Sequence, residues 1–225
     1  MPVKSRIASA AGALCLALVG PSAAVAKSAA APAPPPGLPP ASAADASGPI
    51  CWYGACYDYV SGQQWTDTTG VSVLMKVEAP VVNTASSEEH SLQEIALQNK
   101  ARTSTVEIGW TVDPELNGDS RPHLFVYHWV DGQESCYNGC GFVQVSPFIR
   151  AGMALPAHMA ANFAIRNIGG DWWVFFGNVP VGYFPGSLWH GSYKTAQLVS
   201  VFGEVAVGAP DSPSCPQVGQ GRFGS

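Results

Sequence analysis

Between residues 71 and 207 the chain is a succession of short β-branched and aromatic runs, each closed by glycine, asparagine or aspartate. That pattern favours antiparallel sheet over any long helix. The runs read as strands over 71–82, 91–98, 103–112, 123–130, 141–145, 163–167, 172–176 and 197–207. Asn117-Gly118-Asp119, Asp131-Gly132, Asn138-Gly139 and Gly169-Gly170-Asp171 supply turns between them. One short helix is expected over 187–195. Long helical periods are missing, so a doubly wound α/β fold is disfavoured. The expectation is all-β, either an antiparallel sandwich or a curved double sheet.

Only 12% of the residues are charged, so a carboxylate within an apolar strand calls for a reason. Side chains alternate faces along a strand. In 103–112, Ser104, Val106, Ile108, Trp110 and Val112 share one face, and Thr103, Thr105, Glu107, Gly109 and Thr111 the other. Glu107 therefore sits on a face of small and polar residues, and Gly109 leaves room beside it. In 197–207, Leu198, Ser200, Phe202, Glu204 and Ala206 share a face in a strand with no other charge. A strand glutamate is ordinarily a solvated outward residue. If these two strands are neighbours, the carboxylates share a cleft, one being pushed up and kept protonated beside the other. Such a pair can supply one base and one acid.

The first 49 residues are of another character. Lys4 and Arg6 precede an apolar run from residue 7 to 20, Pro21-Ser22 breaks it, and Ala24-Val25-Ala26 forms a small-residue cleavage site. Residues 1–26 read as a secretory signal peptide. Residues 27–49, rich in Ala, Pro and Ser, read as an extended spacer or short pro-segment. Residues 50–225 then form one domain, large enough for a real core. The protein is expected outside the cell, with no membrane association once the signal is cut.

Cysteine placement fits an oxidising compartment. Two tight local bridges, Cys51–Cys56 and Cys136–Cys140, are expected, although Cys215 could take either Cys51 or Cys56 instead. No Cys-x-x-Cys pair or matched histidine spacing suggests zinc, and no metal or other cofactor is expected. With a net charge of −5 and scattered basic residues, a nucleic-acid partner is not expected either. No Gly-x-Ser-x-Gly elbow is present.

Several ordered segments resemble one known family. Thr105-Val106-Glu107-Ile108-Gly109-Trp110-Thr111-Val112 resembles its Glu-x-Gly-Trp-x-Val strand. Asn117-Gly118-Asp119 with Leu124-Phe125-Val126-Tyr127, Trp129 and Asp131 resembles the hairpin that follows. Cys136-Tyr137-Asn138, Cys140 and Gly141-Phe142-Val143-Gln144 resemble its Cys-Tyr-Asn…Cys-x-Gly-Phe-Val-Gln segment. Trp172-Trp173, Val181-Gly182-Tyr183-Phe184-Pro185 and Phe202-Gly203-Glu204-Val205 resemble its Trp-Trp, Ile-Gly-Tyr-Trp-Pro and Gly-Gly-Glu-Val segments. The family is that of neprosin, secreted glutamic endopeptidases that cleave after proline, and the likeness runs over about residues 70–223. It implies two strongly curved antiparallel sheets packed as a sandwich, with Glu107 and Glu204 as the catalytic pair acting on peptide or protein substrates. Gln93 resembles a polar position of an earlier family strand. Together with the aromatic residues Trp110 and Tyr127 it is expected to line the substrate cleft. Phe202 and Phe184 stand where the family has Gly and Trp. Val218-Gly219-Gln220-Gly221-Arg222-Phe223 resembles a segment that in the family leads into a final strand.

The reading is an acid endopeptidase in which a glutamate pair activates water. Two alternatives stand beside it. A carboxylate pair in a tryptophan-lined cleft also suits a glycoside hydrolase, and a tryptophan-rich sandwich suits a non-catalytic carbohydrate- or wall-binding module.

Overall fold

The computed structural model describes residues 50–52, 55–82 and 89–208. The expected signal peptide, the spacer and the C-terminal segment around Phe223 lie outside them. Eleven strands form among the described residues: β1 (Ile50–Trp52), β2 (Ala55–Thr68), β3 (Gly70–Lys76), β4 (His90–Gln98), β5 (Thr105–Val112), β6 (His123–Trp129), β7 (Val143–Gln144), β8 (Ala160–Ile168), β9 (Asp171–Phe176), β10 (Val179–Phe184) and β11 (Ala196–Gly208). They make two antiparallel sheets, of six strands in the order β1-β2-β11-β4-β5-β6 and five in the order β3-β8-β9-β10-β7. The fold is an all-β sandwich, without the strong curl that the resemblance implies.

Alternation decides which side chains meet between the sheets. Val106, Ile108, Trp110 and Val112 of β5 join Ile95 and Leu97 of β4 in the core. Phe163, Ile165, Trp172, Val174, Val181 and Phe184 come from the second sheet. Each large aromatic buried here removes about 150–250 Å² from water, worth ~4–6 kcal/mol by area before ordering costs are subtracted. Their polar atoms are satisfied: Trp110 Nε1 donates to Lys76 O at 3.1 Å, Trp172 Nε1 to Tyr193 O at 2.8 Å and Tyr193 Oη to Leu97 O at 2.6 Å.

Several segments depart from the sequence reading, in which β1 and β10 (Val179–Phe184) have no counterpart. The strand expected over 71–82 ends at Lys76; beyond it Val77 hydrogen-bonds the 158–159 loop, and Pro80 has no N–H for a ladder. The helix expected over 187–195 is a single 3₁₀ turn, Gly186–Trp189. His190 adopts a left-handed conformation at φ 51° and Gly191 one at φ 71°, which stops propagation. The 14-residue β2 was not anticipated. The turn at Gly169-Gly170 is as expected, with both φ angles positive (66° and 101°), closing the β8–β9 hairpin.

Cys136 and Cys140 are disulfide-bonded, with their Cα atoms 5.6 Å apart. Cys56 is disulfide-bonded as well, and its Cα pairs in register with Cys51. The Cys51 side chain and Cys215 lie outside what is described.

Candidate active site

The six-stranded sheet has a second face, turned away from the sandwich core, and both glutamates are on it. In the ladder Glu204 of β11 stands between Tyr59 of β2 and Leu92 of β4. Glu107 of β5 stands between Ala96 of β4 and Tyr127 of β6. Directly paired residues share a face. The face therefore carries Tyr57 and Tyr59, Phe202 and Glu204, His90 to Ala96 at even positions, Glu107 to Thr111 at odd positions, and Phe125 to Trp129 at odd positions. A second apolar cluster of Leu92, Ala96, Phe125, Tyr127, Trp129 and Phe202 surrounds the carboxylates, with Tyr59 and Tyr137 packed against it.

Both carboxylates are deeply buried, Glu107 at 4% exposure and Glu204 at 1%. Among the described residues no Lys or Arg forms an ion pair with either. Glu204 Oε1 lies 2.7 Å from His90 Nε2. The Tyr59 hydroxyl is beside Glu204, and burial followed by the Glu204 charge pushes its pKa upward. Glu107 has no such partner. Burial, and after it the charge of Glu204, holds its pKa well above the ordinary carboxyl value. The Trp129 indole N–H pulls the other way, but short of hydrogen-bond geometry, since Glu107 Oε1 and Trp129 Nε1 are both buried without a partner.

Those two atoms are not alone. Thr111 Oγ1 and Ser200 Oγ, on the same face, are also buried without a partner. A buried unpaired polar group costs about 1–3 kcal/mol, and native structures hold few of them. Four such atoms among the described residues share this one face of the sheet.

The loop after β6 closes over one side. The disulfide at Cys136–Cys140 pinches the chain around Tyr137. Asn138 clamps the loop to the edge strand, its backbone N–H donating to Val126 O at 3.0 Å and its Oδ1 accepting from Val126 N at 3.1 Å. Tyr137 then stacks edge-on against Phe125 and Tyr127, with ring centroids 5.4 and 5.1 Å away. Tyr127 Oη accepts from Ser135 N at 3.0 Å, which fixes that ring beside Glu107.

Of the residues expected at the cleft, the sheet brings Glu107, Glu204 and Tyr127 to one face. Gln93 and Trp110 are a cross-strand pair on the opposite face. Trp110 is fully buried in the sandwich core, so neither lies on the glutamates' face. The alternation that sends Gln93 inward brings its neighbour Glu94 outward, and Glu94 was overlooked. His90 and Tyr59 were missed too. His90 falls one residue before the strand expected over 91–98, and Tyr59 belongs to β2, which no local pattern marks as a strand. Among the described residues no group of three or more His, Cys, Asp or Glu side chains is arranged to hold a metal ion.

Similar solved structures include a scytalido-glutamic peptidase bound to a peptide-based transition-state analogue, at 10% identity over 73% of this chain and 69% of that one, with a TM-score of 0.39. A homodimeric agglutinin from chicken liver matches at 14% identity over 62% of this chain and 96% of that one, TM-score 0.32. A toad ovary galectin matches at 10% identity over 63% and 96%, TM-score 0.28. The sequence pattern of the neprosin family matches residues 87–225, a stretch that holds His90, Glu107, Tyr137 and Glu204, and the chain accordingly belongs to the neprosin family.

Proposed function

We propose that this chain is a secreted glutamic endopeptidase that cuts peptide bonds after proline, using Glu107 and Glu204 to activate water at acidic pH. The observation that carries the proposal is the sharing of one sheet face by two buried carboxyls, with no lysine or arginine paired to either among the described residues, beside polar atoms with no partner of their own. Family membership supports a peptidase. The preference for proline rests on the resemblance of the motifs. Export rests on the basic start, apolar run and Ala-Val-Ala site of residues 1–26.

The division of roles is part of the proposal and leans on burial and hydrogen bonding. Glu107, desolvated and without a hydrogen-bond donor in place, favours the neutral acid. It is cast as the group that hydrogen-bonds the scissile carbonyl oxygen as negative charge develops there. Glu204, held by His90, is cast as the base that takes a proton from the attacking water. Collapse of the tetrahedral intermediate then requires a proton on the leaving nitrogen, which either carboxylic acid can supply. Tyr127 and Tyr137 would frame the peptide beside Glu107.

The test is incubation with proline-containing peptides from about pH 3 to about pH 8, with products sequenced by mass spectrometry. Products ending in proline, formed at acid pH and fading as pH rises through the raised pKa of Glu107, are expected. Intact peptides at every pH, with an oligosaccharide bound or hydrolysed instead, would overturn the proposal.

A further inference from the structure

The two glutamates are not adjacent in the sheet: β4 runs between them. Glu204 lies in the cross-strand row of Leu92 and Thr111, and Glu107 in the row of Ala96 and Ser200. The row between contains Phe202, Glu94 and Gly109. Glu94 is therefore on the intermediate strand in the intermediate row, diagonal to both. Diagonal neighbours on one face lie about 7–8 Å apart at the backbone, within mutual reach of long side chains. The Glu94 side chain is 2% exposed. It forms no ion pair among the described residues.

Its seat is made by a glycine. A Cβ placed on Gly109 would come within 2.6 Å of Glu94 Cβ and 2.8 Å of Glu94 Cα, and would also strike the Gln93 carbonyl. The room that Gly109 leaves beside Glu107 is thus taken by Glu94.

We propose that Glu94 is a positioning residue of this site, a neutral carboxyl standing between Glu107 and Glu204 whose O–H is donated to whichever of them is ionised. The proposal rests on the reading of those two as the working pair. Burial first, then the charges of Glu107 and Glu204, hold the Glu94 pKa well above its ordinary value. The other titratable groups around it do not reverse this. Tyr59 lies within reach of its charge from β2, as does Tyr137, which has Tyr127 and Asp113 near it, and His90 shares its strand and pairs with Glu204. None is a lysine or arginine that would draw Glu94 into its ionised form.

Neutral Glu94 has a close mimic in glutamine, which donates an N–H from the same place, and none in leucine, which fills similar volume but donates nothing. Glu94→Gln should keep the peptide-cleavage rate within about threefold, with its acid limb where the wild type has it. Glu94→Leu should lose about tenfold or more. Its acid limb should move up by about one pH unit, because an ionised neighbour has lost a charge-assisted hydrogen bond. A leucine variant that matches the glutamine variant in rate and pH profile would overturn the proposal, as would a glutamine variant as impaired as leucine.

A second measurement stands apart from turnover and from the folding of the leucine variant. At about pH 6, where ordinary carboxyls are ionised, the infrared carboxylic-acid stretch of the folded wild type should lose one group's intensity in Glu94→Gln. Unchanged intensity would refute a neutral Glu94. If the wild type cleaves no peptide, the proposed function fails, and the infrared result alone decides Glu94.

Discussion

Replacing Glu107 by glutamine should abolish activity and stabilise the fold with the same substitution, and the second effect has a definite pH dependence. Glutamine keeps the shape of the side chain but can neither give nor take the proton. Removal of a general acid or base costs about 10²–10⁴-fold, or ~3–5 kcal/mol in the barrier. The stability effect follows from the raised pKa of buried Glu107. A group whose folded pKa lies above its unfolded value binds more protons in the native state. Its contribution is fully present below the unfolded carboxyl pKa and is lost as pH rises towards the folded pKa. Across that window the wild type loses ~1.4 kcal/mol per pH unit through this one group, whereas the glutamine variant loses nothing by this route. In a domain of this size ~1 kcal/mol shifts Tm by about 2–4 °C. The variant should thus match the wild type at about pH 4 and exceed it by about 3–5 °C for each pH unit of the window. Paired thermal melts and peptide-cleavage assays across the same buffers measure both effects. A folded Glu107→Gln protein that cleaves at more than about a tenth of the wild-type rate would refute the acid role, and a Tm difference that stays flat with pH would refute the raised pKa.

Three further outcomes are expected. Gly109→Ala should destabilise by about 1–3 kcal/mol, visible in chemical denaturation, because its Cβ meets the β4 backbone and Glu94 rather than a movable side-chain end; an unchanged midpoint would show that the strands separate freely there. Trp110→Phe should lower the melting temperature through the lost hydrogen bond to Lys76 O while the rate per folded molecule stays the same, and a selective loss of rate would place Trp110 back at the cleft. Changing Cys136 and Cys140 to serine should cost ~2 kcal/mol for so short a loop and raise KM more than it lowers kcat, since Tyr137 loses its anchor; kinetics with an unaltered KM would remove Tyr137 from substrate binding.

The alternation of β5 and β11 was legible from the chain alone. Val106, Ile108, Trp110 and Val112 could only be the buried side of β5, and Glu107 therefore had to occupy the other. The Cys136–Cys140 spacing was legible for the same reason, as a constraint acting within a few residues. What depended on pairing was not. In β2, Tyr57, Tyr59 and Trp65 are interspersed with Asp58, Ser61, Gln63, Gln64 and Asp67, and no local preference marks it as a strand. It becomes one by hydrogen-bonding β11 along nearly its whole length.

The candidate site divides along the same line. Sequence identified Glu107 and Glu204 because each is a charge in an otherwise uncharged strand, a property of single strands. Only the sheet order β2-β11-β4-β5-β6 could show that a third strand separates them. Only the register could show that its outward residue in the intervening row is Glu94 and not Gln93, because a shift of one residue exchanges the two faces of a strand. The partners of Glu204 were decided in the same way: His90 is 114 residues away in the chain and Tyr59 sits opposite it on β2. A strand's own pattern determines which side chains share a face, whereas which faces and rows become neighbours is settled by hydrogen bonds between segments far apart in the chain.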